Sequence, residues 1–283
     1  MLTLDISQEE IEAARMEPQK LQLAVKAVQE DGFVILANVV DVHHIAALKE
    51  KVLEDVALLL ARKDAPYNWN QGNIQQDPPP FAPYLYKDVL LNELVIDVTV
   101  AILGPGVKNS FYSGNTAIRS NLRQPIHADT GHLWPAPTPA TPAFGLVVNV
   151  PLVEMSAENG STEIWPGSHL DTSVWIHSDT IEVPSEAVEQ RRAFAPPLQP
   201  AAQPGSILIR DIRLWHAGMP NHTDNPRPMI AMIHWSSWMD AGAGIKLPEE
   251  SRSFFDHPRL RTVAEFVNEP IDYIKAPQSY SFT

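Results

Sequence analysis

Residues 124–133 read Gln-Pro-Ile-His-Ala-Asp-Thr-Gly-His-Leu, with His127 and Asp129 separated by one residue. In an extended segment, side chains two apart point to the same face, so one imidazole and one carboxylate converge on one point. That supplies two ligands of a 2-His-1-carboxylate metal site, and the second histidine must come from elsewhere in the fold. The pair alone is a weak signal, because His-x-Asp arises by chance in many proteins.

Working outward, the flanking sequence is strand-like. Residues 144–152 form a strongly apolar run interrupted by Asn149, which on that ground points inward. Residues 205–211 and 229–235 are further strands. Residues 109–113 and 117–120 are short candidates, with Gly114 and Asn115 as the turn between them. Upstream, residues 19–30, 43–62 and 88–103 carry apolar residues at helical spacing, and 33–36 is a short strand. Residues 63–86, rich in amides and holding Trp69, read as a loop, either a lid over a pocket or plain surface. The 26 prolines cluster at 78–83, 135–142, 196–204 and 220–228 and mark rigid connections. Helices first and strands after imply an α+β chain with a mainly β core. One domain is expected, with a helical part at about 7–104, a β core at about 108–240 and a C-terminal extension at about 241–283.

Composition excludes several classes. There is no cysteine, which removes disulfides, thiolate metal sites and cysteine nucleophiles; any metal falls to His, Asp or Glu. A formal net charge of −13 argues against nucleic acid and anionic membranes as partners. No apolar run approaches the ~18 residues of a membrane helix, and the N-terminus lacks a signal-peptide pattern. A cytoplasmic location is the default expectation, a small molecule the expected partner, and a homodimer is left open.

His216 is the candidate second histidine, because it follows the strand at 205–211 and opens a Gly/Pro loop. Eleven residues later, Arg227 leads into the strand at 229–235. A cation facing a β interior is costly unless an anion meets it, and the guanidinium fork fits a carboxylate at two points.

These residues together resemble the phytanoyl-CoA dioxygenase family of Fe(II)- and 2-oxoglutarate-dependent oxygenases. The resemblance lies in His127-Ala-Asp129, in the turn from Glu158-Asn-Gly to Pro166-Gly-Ser-His169, in His216, and in the spaced His216…Asn221…Arg227 run. It covers residues 20–240 or so. It implies a double-stranded β-helix (jelly roll) with flanking helices, and Fe(II) on His127, Asp129 and His216. It also implies 2-oxoglutarate with its far carboxylate on Arg227, and O₂ as the other co-substrate. Family members often carry Ser or Thr two residues after the distal histidine, where this chain has Gly218. Thr116 and Asn149 are therefore candidate co-substrate contacts. His132, Trp134, Tyr112 and Trp215 are candidate substrate contacts, each weighed against a plain core role. Related halogenases replace the carboxylate with a small residue, so Asp129 argues for oxygenation. No basic cluster suits a CoA diphosphate, which favours a free small molecule, secondary metabolites included. The alternatives are an inactive jelly-roll binding protein and a cupin-type metal enzyme that does not use 2-oxoglutarate.

Overall fold

The structure is a computed structural model, described here over residues 1–176 and 180–275. Its elements run β1 (Thr3–Asp5), α1 (Gln8–Glu12), α2 (Pro18–Glu30), β2 (Phe33–Ala37), α3 (Val42–Leu60), β3 (Tyr67–Asn68), β4 (Asn70–Gln75), α4 (Lys87–Leu90) and α5 (Glu93–Leu103). They continue with β5 (Val107–Ala117), β6 (Gly145–Pro151), β7 (Glu163–Ile164), α6 (Ser185–Arg192), β8 (Ile207–Asp211), β9 (His216–Ala217), β10 (Arg227–Trp235), β11 (Ile245–Pro248), β12 (Leu260–Thr262) and β13 (Ala264–Val267). Among the described residues no helix is long and apolar enough to cross a membrane.

The main sheet has the order β1-β2-β8-β6-β10-β5-β4-β3, with β12 added in parallel to β5, and it is not closed into a barrel. Strand parity divides its two faces. On one face Val34, Leu36, Leu146, Val148, Val150, Ile207, Ile209, Ile230 and Met232 form a single core with residues of α2, α3 and α5. Each such fully buried aliphatic side chain contributes roughly 1.5–3 kcal/mol. The residues of opposite parity turn to the other side. There Phe33, Ile35 and Leu208 pack against Ile164 of β7, which pairs with β9 in a small second sheet. The two layers and the helices on one outer side are the expected α+β, mainly β arrangement.

Several local readings change. The expected helix at 88–103 is two helices, because Asn92 breaks it and caps α5, its Oδ1 accepting from the N–H groups of Leu94 and Val95. The loop expected at 63–86 contains the hairpin β3–β4, which extends the sheet beside β5. The turn expected at Gly114 and Asn115 lies in the middle of β5, paired with Ile230 and Met229. A Cβ on Gly114 would sit 2.3 Å from the carbonyl oxygen of Met229, so glycine marks a close backbone approach there and not a reversal. The stretch expected as a C-terminal extension enters the main sheet through β12; its residues 276–283 lie outside the described residues.

Candidate metal and co-substrate site

His127 and His216 meet through the backbone. The N–H of His127 donates to the carbonyl of His216 at 3.0 Å, and the N–H of His216 donates to the carbonyl of His127 at 2.8 Å. An antiparallel pair that exchanges both bonds puts its side chains on the same face. The two rings accordingly lie 4.3 Å apart, centroid to centroid. Asp129, in the loop between β5 and β6, completes the group: one ligand atom from each residue lies within 4.8 Å of the others.

The tautomers follow from the partners. Nδ1 of His127 lies 2.8 Å from the carbonyl of Pro125, and Nδ1 of His216 lies 2.9 Å from the carbonyl of Leu214. A carbonyl only accepts, so each Nδ1 carries the hydrogen and each Nε2 presents a lone pair. Burial lowers the pKa of both rings, and for His216 the Arg210 cation adds to this, so both are neutral at pH 7. Burial would raise the Asp129 carboxyl, but the charge and hydrogen bond of the Arg210 guanidinium outweigh it and hold it well below the usual carboxylate range. Three electron-pair donors thus converge with no hydrogen between them; Nε2 of His216 is 3.6 Å from Oδ1 of Asp129. Two imidazoles and one carboxylate are a donor set that suits Fe(II), and the residues present fit such an ion.

This group opens on a cavity of about 420 Å³. Its charged lining residues are Asp129, Arg210 and Arg227. Arg227 is 2 % exposed, and its Nη2 donates to the carbonyl of Gly160 at 3.0 Å. Its Nε and Nη1 have no partner, and among the described residues no carboxylate pairs with it. Burial pushes its pKa down to about 10, so it stays charged at pH 7. Arg213, only 2 % exposed, is the contrasting case, because Asp211 meets its guanidinium at 2.9 and 2.7 Å. A buried, unneutralised guanidinium on a cavity wall fits the distal carboxylate of a dicarboxylate co-substrate.

The structure brings together on this cavity His127, Asp129, His216, Arg227 and Asn149. It does not bring the other sequence candidates there. Tyr112 and Thr116 share the parity of β5 that faces the helices: Tyr112 is in the main core, and the Thr116 hydroxyl donates to Gln76 at 2.8 Å. Phe111 and Asn115, of opposite parity, line the cavity instead. Trp215 points away from His216 and packs with Trp165 and Ala128 in a separate core. His132 lies near the carbonyl of Asp171, 3.0 Å from Nε2, and Trp134 is 55 % exposed; neither lines the cavity.

Some residues of the site escaped the sequence reading. Asn68 and Gln75 come from the β3–β4 hairpin, so part of the amide-rich segment is cavity wall. Gln124 takes the space beside Gly218: its Oε1 accepts from the Gly218 N–H at 2.7 Å, and its Nε2 donates to Asn68 at 3.2 Å. A Cβ on Gly218 would sit 2.7 Å from that Oε1, so the glycine and the glutamine fit as a pair. The signal that could have found Arg210 is a cation at the end of the apolar run Ile207-Leu-Ile, the kind of argument that singles out Arg227.

Comparison with known proteins agrees with this geometry. Dioxygenase af480 of Aspergillus fumigatus is 27 % identical over 168 residues, 59 % of this chain and 50 % of that protein. The chain therefore spans about half the length of this curated relative. AviO1 from Streptomyces viridochromogenes Tue57 superposes with a TM-score of 0.59 at 20 % identity, over 80 % of this chain and 99 % of that one. SnoK, a non-heme alpha-ketoglutarate-dependent carbocyclase from nogalamycin biosynthesis, gives 0.57 at 18 %, over 79 % and 86 %. At these identities the likeness of the structures speaks for the fold alone. The family model described as phytanoyl-CoA dioxygenase (PhyH) matches residues 28–229, most of the chain, and the protein belongs to that family.

Proposed function

We propose that this chain is an Fe(II)- and 2-oxoglutarate-dependent oxygenase acting on a small organic molecule. The outcome is hydroxylation, desaturation, ring closure or epoxidation, with release of succinate and CO₂. The observation that carries the reading is the cavity that holds both the three converging donors of His127, Asp129 and His216 and the unneutralised Arg227. Family membership and the name of the fungal relative support the dioxygenase class.

Fe(II) bound there would supply the redox chemistry that couples oxidative decarboxylation of 2-oxoglutarate by O₂ to oxidation of the substrate. The chain's own part is positional. His127 and His216 offer fixed Nε2 lone pairs, because their backbone pairing and their Nδ1 hydrogen bonds lock both rings. Arg227 receives the far carboxylate and so sets the direction of the co-substrate. Val147, Ile212, Met229, Ala231 and Ile233 make one side of the cavity apolar and limit water. Phe111 and Trp235 offer flat surfaces to a ring-bearing substrate. Among the described residues Arg210 and Arg227 are the cations that line the cavity, with no basic cluster there to receive a CoA diphosphate. A free small molecule, secondary metabolites included, is therefore the substrate class, in keeping with the part of SnoK in nogalamycin biosynthesis.

The test is turnover of 2-oxoglutarate without added substrate. Protein with Fe(II), O₂ and 2-oxoglutarate is expected to form succinate slowly, and His216→Ala to form none. Iron binding without succinate would favour the cupin-type alternative, and binding of neither would favour a non-catalytic jelly roll.

A further inference from the structure

The cation nearest the donor group is Arg210, not Arg227. Its Nη2 lies 2.6 Å from Oδ2 of Asp129. The other carboxylate oxygen, Oδ1, is the one that faces Nε2 of His216 at 3.6 Å. The two oxygens of Asp129 are thus already divided, one to the Arg210 guanidinium and one to His216.

The rigidity of the two partners differs. Asp129 sits in a loop and keeps 30 % of its side-chain exposure. Arg210 sits in β8, between β2 and β6, paired with Phe33 on one side and Val147 on the other, and its side chain is 7 % exposed. Its Nε points to Oδ1 of Asn149 at 3.4 Å. A loop carboxylate is held by a cation on a central strand, which in turn leans on the polar residue of the next strand.

We propose that Arg210 is the positioning residue for Asp129: it occupies Oδ2 and leaves Oδ1 as the single ligating oxygen. The inference rests on the iron reading given above. A carboxylate can bind a metal through one oxygen or both. Bound through both, it would take a coordination position that the chelating 2-oxo acid or O₂ requires. Bound through one, it leaves the open face of the 2-His-1-carboxylate arrangement. Arg210 decides between the two, because a charge-assisted hydrogen bond competes with the metal for Oδ2. Arg213, three residues on, makes no such choice; Asp211 takes its fork at two points.

Co(II) is the probe, since it binds such donor sets and its visible spectrum reports coordination number and geometry. The full-length wild type and Arg210→Lys, Arg210→Met and Arg210→Gln are titrated with Co(II), and the Co(II)-loaded forms with 2-oxoglutarate. Wild type and Arg210→Lys are expected to share one spectrum. Arg210→Met is expected to shift the visible bands, to weaken Co(II) binding about tenfold or more, the range seen when the support of a metal ligand is removed, and to weaken 2-oxoglutarate binding to the Co(II)-loaded form. Arg210→Gln, milder for folding but too short to reach Oδ2, is expected to follow Arg210→Met. Matched circular dichroism separates these effects from unfolding, and a merely structural arginine would leave the spectrum unmoved. If the folded Met or Gln variant keeps the wild-type spectrum and 2-oxoglutarate affinity, the role of Arg210 is refuted while the metal site stands. If wild type itself binds no Co(II), the metal site falls and this inference with it.

Discussion

His127 and His216 exchange both of their backbone hydrogen bonds, at 3.0 and 2.8 Å. Two histidines almost ninety residues apart in sequence are therefore brought to one point by strand register, not by their side chains. Either imidazole can be removed without touching the backbone pairing. His127→Ala and His216→Ala are each expected to fold, with near-native melting temperature, and to lose about a hundredfold or more in Fe(II) or Co(II) affinity. Calorimetric titration of metal checks this. Unchanged affinity in either variant would remove that histidine from the site.

Arg227 separates co-substrate binding from metal binding. It lines the same cavity but is not among the three converging donors. Hydrogen bonds to charged groups contribute about 1.5–3 kcal/mol, so Arg227→Ala is expected to weaken 2-oxoglutarate about 10- to 100-fold while leaving Co(II) affinity as it was. Arg227→Met is also expected to raise the stability of the ligand-free protein, because a buried cation without a carboxylate partner is relieved. Denaturant unfolding with and without 2-oxoglutarate would show it: the co-substrate should stabilise the variant less than wild type at the same concentration.

Gly114→Ala tests the close approach of β5 to β10. The added methyl would stand 2.3 Å from a backbone oxygen, which cannot swing aside as a side chain can. A loss of about 3 kcal/mol or more is expected, at the upper end of the cost of overpacking. Thermal unfolding within a degree or two of wild type would contradict the assigned pairing.

His234 makes stability depend on pH. It is 2 % exposed, its Nδ1 lies 3.1 Å from the Thr99 hydroxyl, and burial lowers its pKa to about 3. Unfolded histidine titrates near 6.5. Above that value neither state binds the proton and there is no penalty. Between about 6.5 and 3 the unfolded state binds it and the folded state does not, so stability falls as pH falls. The slope for this one group is about 1.4 kcal/mol per pH unit. Relative to His234→Gln, wild type is expected to lose about 2 kcal/mol between pH 6.5 and pH 5. Parallel loss in the two proteins would show that His234 is charged in the folded state.

Much of this was legible in the sequence because the chemistry is carried by rare residue types at fixed spacing. His127, Asp129, His216 and Arg227 stand out in apolar or Gly/Pro-rich surroundings, and the strands at 144–152 and 205–211 announce themselves by β-branched runs. Parity was harder. Residue type does not show which face of a strand a side chain takes: Tyr112 and Thr116, candidates as an aromatic ring and a hydroxyl, face the helices. Trp215 failed in the same way: one residue before a ligand candidate in an extended segment is the opposite face. The amides of Asn68 and Gln75 lie in the segment that reads equally as lid or surface: their place depends on a hairpin joining β5 at a distance, and nothing local in an amide-rich stretch distinguishes cavity wall from surface. Gln124 reaches the site through its bond to the Gly218 N–H, a contact distant in sequence that no local pattern shows.

The most direct measurement is an anaerobic titration of Fe(II), then 2-oxoglutarate, into the metal-free protein, followed by visible absorption. A 2-oxo acid chelated to Fe(II) gives a weak metal-to-ligand charge-transfer band. That band is expected in wild type, absent in His216→Ala and diminished in Arg227→Ala. Iron binding by wild type with no band on addition of 2-oxoglutarate would contradict the proposed chemistry.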